Sequence, residues 1–357
     1  MNPATLIPTP DAISAPWGWF YVLLLLTFLL HVLVMNAMLG GGIIALFSAL
    51  RGDQQNTLLG KEFGYKWPYT IAFAVNMGVA PLLFVQVLYG QFIYSSSILM
   101  AVWWFSIFGL VILAYYSAYI YDFKFEALGN PRIFLLEFSV FILLFVAFLF
   151  SNNMTLMLQP EKWQAYFSNG GGTLLNLSDP TLYPRYLHFV VGSVAVAGLF
   201  LALVGHFRFT KSNVDQNFLI AQGMTYFTYA TAMQIFIGFW FLLALPKNVM
   251  MIFMGGSVLS TILLLAGIIL GFTALYFGYK KRVVLTSAIA LVTLIVMVIM
   301  RDLVRSAYLQ PYFQLSDLTV EPQYSPLIFF LLVFAGGLLL IGYMLKLAFG
   351  CRKEVTK

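Results

Sequence analysis

Three histidines, His31, His188 and His206, each fall in or at the end of a long apolar stretch. An ionisable imidazole is costly in hydrocarbon, so its presence there points to a functional role before a packing one. That argument applies to His31 and His188. For His206, beside Arg208 and Lys211 at a stretch border, snorkelling toward lipid headgroups is explanation enough. A haem iron held by one imidazole and one thioether is a low-spin electron-transfer centre of raised potential. Met250, Met251 and Met254 lie near the depth expected for His188. Methionine is also the usual filler of irregular apolar gaps, and the chain has fifteen. His188 and His206 sit about 27 Å apart along one helix, so they cannot share an iron.

Acidic groups within the apolar stretches are almost absent. Glu137 and Asp302 stand near stretch ends and read as border residues. A proton route across a membrane needs carboxylates or histidines spaced through it. None can be traced, which argues against a proton-consuming oxygen reductase and a proton-coupled transporter. Arg301 and Arg305 are placed either to neutralise haem propionates or to face lipid headgroups. Asn36, Asn76, Gln86 and Gln91 either line a polar path or bond between helices. The single cysteine, Cys351, excludes a disulfide framework and a thiolate cage, and no C-x-x-C-H attaches a c-type haem. No phosphate-binding loop or zinc motif is present.

These residues need a membrane scaffold. Of 357 residues, 61% are hydrophobic and 9% charged, with a mean hydropathy of +0.91. A soluble domain carries roughly a quarter charged residues. The pattern predicts an all-α polytopic transmembrane helix bundle, one integral membrane domain over 1–357. About nine spans are expected, at 18–45, 69–94, 97–121, 133–157, 184–207, 221–245, 249–279, 283–303 and 326–350. Pro246, Lys247 and Asn248 alone separate the sixth and seventh, which predicts a helical hairpin. Gly40–Gly41–Gly42 and Gly255–Gly256 suit either close helix approach or a flat macrocycle against backbone. Aromatics, at 17%, fit interfacial belts and also a haem pocket. The net charge of +6 is spread over segment ends, so it is no nucleic-acid footprint. Met1 to Pro16 lacks the basic start of a signal peptide.

Alternate loops differ in cation content. One side holds Arg51, Lys61, Lys66, Lys124, Arg132, Arg208, Lys211, Lys280, Lys281, Arg282, Lys346, Arg352, Lys353 and Lys357, fourteen in all. The other holds five: Lys162, Arg185, Lys247, Arg301 and Arg305. The positive-inside rule then places the N-terminus outside and the C-terminus inside. Longer outside loops are expected at about 158–183 and 304–325.

Several motifs together resemble subunit I of the cytochrome bd quinol oxidases. His31 followed nine residues later by Gly40 is similar to that family's first-helix haem-ligand motif. Gly78-Val-Ala-Pro-Leu-Leu-Phe-Val-Gln86-Val-Leu-Tyr-Gly90 is similar to its Gly-Val-Ala…Glu-Phe-Gln-Phe-Gly stretch at equal spacing. Arg185-Tyr-Leu-His188 resembles the helix carrying the His ligand of the low-spin b haem, and Phe253-Met254-Gly255 sits where the family places that haem's Met. The match is good over 18–205 and weaker over 221–350. Departures concern the oxygen chemistry. Gln86 replaces a carboxylate, the third span reads Leu99-Met-Ala-Val-Trp-Trp-Phe-Ser106 without acids, and Leu294–Met300 lacks a carboxylate haem ligand. Tyr308-Leu-Gln-Pro-Tyr312 stands for the family's Gly-Arg-Gln-Pro-Trp, and the quinol-binding loop between spans six and seven is reduced to a few residues.

The resemblance implies a membrane cytochrome b-like oxidoreductase subunit with one or two b haems, and more are not excluded. His31, His188 and Met254 would be its iron ligands, with His206 a further candidate. Arg301, Arg305 and Gln86 would line cofactor sites. Electrons would pass between the quinone pool and a periplasmic partner such as a c-type cytochrome, without oxygen reduction. The setting would be the inner membrane, in lipid, with a second membrane subunit and no nucleic acid. Two rivals remain: an active quinol oxidase, and a haem-free transporter or scaffold that kept the fold.

Overall fold

The computed structural model describes residues 2–207 and 214–354, with side chains described to Leu347. Arg208, Lys211, Cys351, Arg352, Lys353 and Lys357 lie outside the described side chains. The helices run α1 (Trp17–Arg51), α2 (Gln54–Leu99), α3 (Ala101–Phe123), α4 (Phe125–Leu128), α5 (Arg132–Met157), α6 (Leu182–Phe207), α7 (Gln216–Ala244), α8 (Lys247–Met251), α9 (Val258–Tyr279), α10 (Val283–Leu309) and α11 (Tyr324–Glu354). Among the described residues nine helices, all but α4 and α8, are long and apolar enough to cross a bilayer, and no strand forms. Helices dominate because a bilayer offers backbone groups no water to bond.

Two expectations about boundaries need correction. The second span starts at Gln54, not 69, and runs 46 residues. Its polar first turns do not read as membrane, yet they stay helical because they pack. Asp53 caps them by accepting from Asn56 N–H at 3.0 Å, Tyr121 covers Gly60 and Gly64, and Trp67 Nε1 donates to the Met38 carbonyl at 3.2 Å. The seventh span is not continuous from 249. α8 ends in a wide turn over Ile252–Gly256, and α9 begins only at Val258, capped by Ser257. Gly255 takes φ +106, which a residue with a side chain rarely adopts, so this turn ends the helix. The helical hairpin expected at 246–248 forms, since α7 packs on α9, but its connection is a short helix plus a turn and not three residues.

α1, α2, α3 and α5 share one apolar core around Trp67, Ile71, Ala114 and Leu136. α6, α7 and α9, with the first residue of α10, share another around Ala202, Met224, Phe227 and Ala274. The two are joined where α1 meets α6. A Cβ on Gly40 would overlap the Ser193 carbonyl, and the backbones of Gly198 and Gly223 touch between α6 and α7. Gly41 and Gly42 face Phe63 and Trp67, so this glycine run serves helix packing. A third cluster closes the end of the bundle where α1 begins, the amino-terminal face. There Leu88, Phe92 and Leu156 meet Trp163 and Phe313 from the connecting segments. α11 has no buried residue among those described. Its approach is held by backbone bonds of Ile13 and Ser14 with Thr319, Glu321 and Gln323.

Gly223→Val should force α6 from α7 and cost about 1–3 kcal/mol, as overpacking does. The check is a lowered thermal unfolding midpoint in detergent, with Gly342→Val on α11, where no neighbour is met, as the unaffected control.

Candidate functional site

α1, α6, α7, α9 and α10 leave between them a cavity of about 320 Å³, at the small end of ligand sites. Its walls are mostly apolar and aromatic, with Phe28, Phe189, Phe239 and Phe272 among them. Gly192, Gly238, Gly267 and Gly271 also line it. A Cβ on Gly271 would meet nothing within 4 Å, so close packing does not explain that glycine.

Polar groups concentrate toward the amino-terminal face. Arg185 and His188 are three residues apart on α6, hence on one side of it, and both line the cavity. Arg301 enters from α10. Arg185 is buried, and its Nε and Nη2 have no hydrogen-bond partner. Its guanidinium lies 5.1 Å from the Phe241 ring centre. Arg301 lies 4.2 Å from the Phe28 ring centre and donates to Met154 Sδ at 3.7 Å. Among the described residues neither has a carboxylate within ion-pair distance. A cation so placed loses its hydration and gains only an aromatic face in return.

Arg305 differs. It pairs with Asp302, which also accepts from Tyr21 hydroxyl at 2.7 Å, and it lies 4.4 Å from the Tyr89 ring centre. Arg305 and Asp302 are buried. Asp302, expected near a span end, is buried there as the counter-charge of Arg305. Arg305 is committed there and does not line the cavity.

His188 carries the imidazole that faces the cavity. Its Nδ1 is enclosed without a partner, and its carbonyl accepts from Gln234 Nε2 of α7 at 2.5 Å, which fixes its level. The other expected residues are elsewhere. His31 is partly buried between α1 and α2, its Nδ1 3.1 Å from the Ala74 carbonyl, over Gly78. His206 is exposed beside Phe207. Gln86 is partly buried on α2, away from the cavity. Met254 sits in the wide turn, 54% exposed, and does not line the cavity, whereas Met297 and Met300 of α10 do. Sequence reasoning counted Arg185 as a loop charge. The signal that would have found it is its three-residue spacing to His188.

The residues fit a flat, largely apolar cofactor with acidic groups on one edge. An imidazole nitrogen is without a partner, two guanidiniums have no carboxylate at ion-pair distance, and the wall beside Gly271 leaves room. Among the described residues no cluster of three His, Cys, Asp or Glu could hold a bare metal ion. Compared with protein-family models, curated proteins and solved structures, the chain matches none.

Two substitutions should separate these cations. Asp302→Ala strands Arg305 in the interior and should cost about 3–5 kcal/mol. Arg301→Met removes a cation that has no counter-charge and should leave the ligand-free protein equally or more stable. Thermal unfolding of both variants without added ligand is the check.

Proposed function

We propose that this chain is a membrane-embedded electron-transfer subunit that holds a b-type haem on His188. The observation that carries the reading is the unpartnered His188 imidazole in a cavity capped by the unpaired cations of Arg185 and Arg301. Bound there, the haem would supply a one-electron store. His188 would hold its iron, and Arg185 and Arg301 would hold its propionates. Their positive charge favours the reduced iron and so raises the potential. The aromatic walls exclude water. Met297 and Met300 bring thioethers to the cavity, the ligand type expected earlier from Met254.

The cavity lining contains no Asp or Glu. A site without carboxylates supports electron transfer without oxygen reduction. By the cation bias of the loops, the amino-terminal face is the outer one. Electrons would then pass near that face between the quinone pool and a periplasmic partner such as a c-type cytochrome, in the inner membrane of the cell. The uncovered α11 accords with a second membrane subunit. A second haem on His31 would occupy a different place, between α1 and α2.

The test is a dithionite-reduced minus oxidised spectrum of the purified protein, with a pyridine haemochrome count per chain. A b-type α-band is expected, lost or halved in His188→Ala and unchanged in Met254→Leu. A flat spectrum from folded protein would overturn the reading and favour a haem-free transporter or scaffold. Quinol-driven oxygen uptake in membranes would instead favour an active oxidase.

A further inference from the structure

The cavity extends well past His188. Along α10 its lining runs from Val304 to Ala290, about 21 Å at helical rise. Part-way down, two amides join the wall. Asn36 of α1 is 3% exposed and its Oδ1 has no partner, and Gln234 Oε1 of α7 has none either. The Gln234 amide cannot be turned over at will, because its Nε2 donates to the His188 carbonyl and a carbonyl cannot accept from an oxygen. Oε1 is therefore held as an acceptor awaiting a donor. Unmet acceptors inside a membrane protein are costly and call for a partner. Beyond the amides the wall is mostly apolar, with Thr231 and Thr293 its polar residues, and the open space beside Gly271 continues there.

We propose that the deep part of this cavity binds an apolar chain bearing a hydroxyl, which donates to Gln234 Oε1 and accepts from the Asn36 amide nitrogen. Two sources share this chemistry. One is a hydroxylated apolar substituent on the haem edge opposite its acidic groups, which would make the group a substituted relative of haem b and not haem b itself. That source rests on the haem reading, and it fits the order along the cavity: cations, imidazole, amides, then apolar space. The other is a free lipid-soluble hydroxy-aromatic with an isoprenoid tail, of the quinol class, entering from the bilayer. It does not depend on haem.

The experiment is mass spectrometry of an acidified-solvent extract from protein purified in native lipid particles. The expected result is about one hydroxyl-bearing apolar molecule per chain. A hydroxylated macrocycle identifies the first source, and a prenylated hydroxy-aromatic the second, even where no haem is found. Asn36→Leu should lower that content up to about tenfold, the effect of one lost hydrogen bond. Gly271→Phe, which fills the deep space, should do the same and serves where Asn36→Leu does not fold. An extract holding only a macrocycle without hydroxyl, and no hydroxylated lipid above its level in the surrounding bilayer, would overturn the proposal. So would unchanged content in both variants.

Discussion

Two guanidiniums with no carboxylate at ion-pair distance, deep among aromatic rings, are the constraint around which this molecule is built. Bringing one ion into low dielectric costs several kcal/mol even after relaxation. Arg305 shows the usual remedy, since Asp302 and Tyr21 close a local network around it. Arg185 and Arg301 touch aromatic faces and a thioether, and feel Asp179 and Asp302 only from beyond ion-pair distance. The protein tolerates them because the rest of the bundle is well packed at glycine and alanine contacts. A ligand with acidic groups would offset that desolvation cost.

The same arrangement explains why the cavity persists. Leu or Phe at Gly271 would fill it, and the α6–α7 contact at Gly198 and Gly223 would still hold the helices together. Helix contact and cavity are assigned to different residues on neighbouring helices. Gln234 links the two, since it bonds the backbone of the helix that carries His188 while its oxygen is enclosed without a partner.

Hydropathy made the nine spans legible, because apolar runs long enough to cross a bilayer have few other uses. It failed where helices continue beyond lipid. The start of α2 is polar and still helical, since packing against Tyr121 and Trp67 sustains it. It failed again at Gly255, where an apolar run conceals a break in the helix. At the site, His188 was legible as a costly group in an apolar span. The cavity role of Arg185 was not, because position near a span end says nothing about which way a side chain is buried. The pairing of Asp302 with Arg305 likewise needs three-dimensional contact with Tyr21 from the first helix. Met254 was placed by order along the chain, and the wide turn moves it out of the cavity.

The lack of any buried residue on α11 as far as Leu347 has an arithmetical consequence. Without that helix, the packed body has eight crossings, an even number. Its own start and finish therefore lie on one face, and they are stitched together there by the backbone bonds of Ile13 and Ser14 with Thr319, Glu321 and Gln323. The body is closed head to tail before the last helix begins. What α11 adds is a change of side: it alone carries the carboxy terminus to the opposite face.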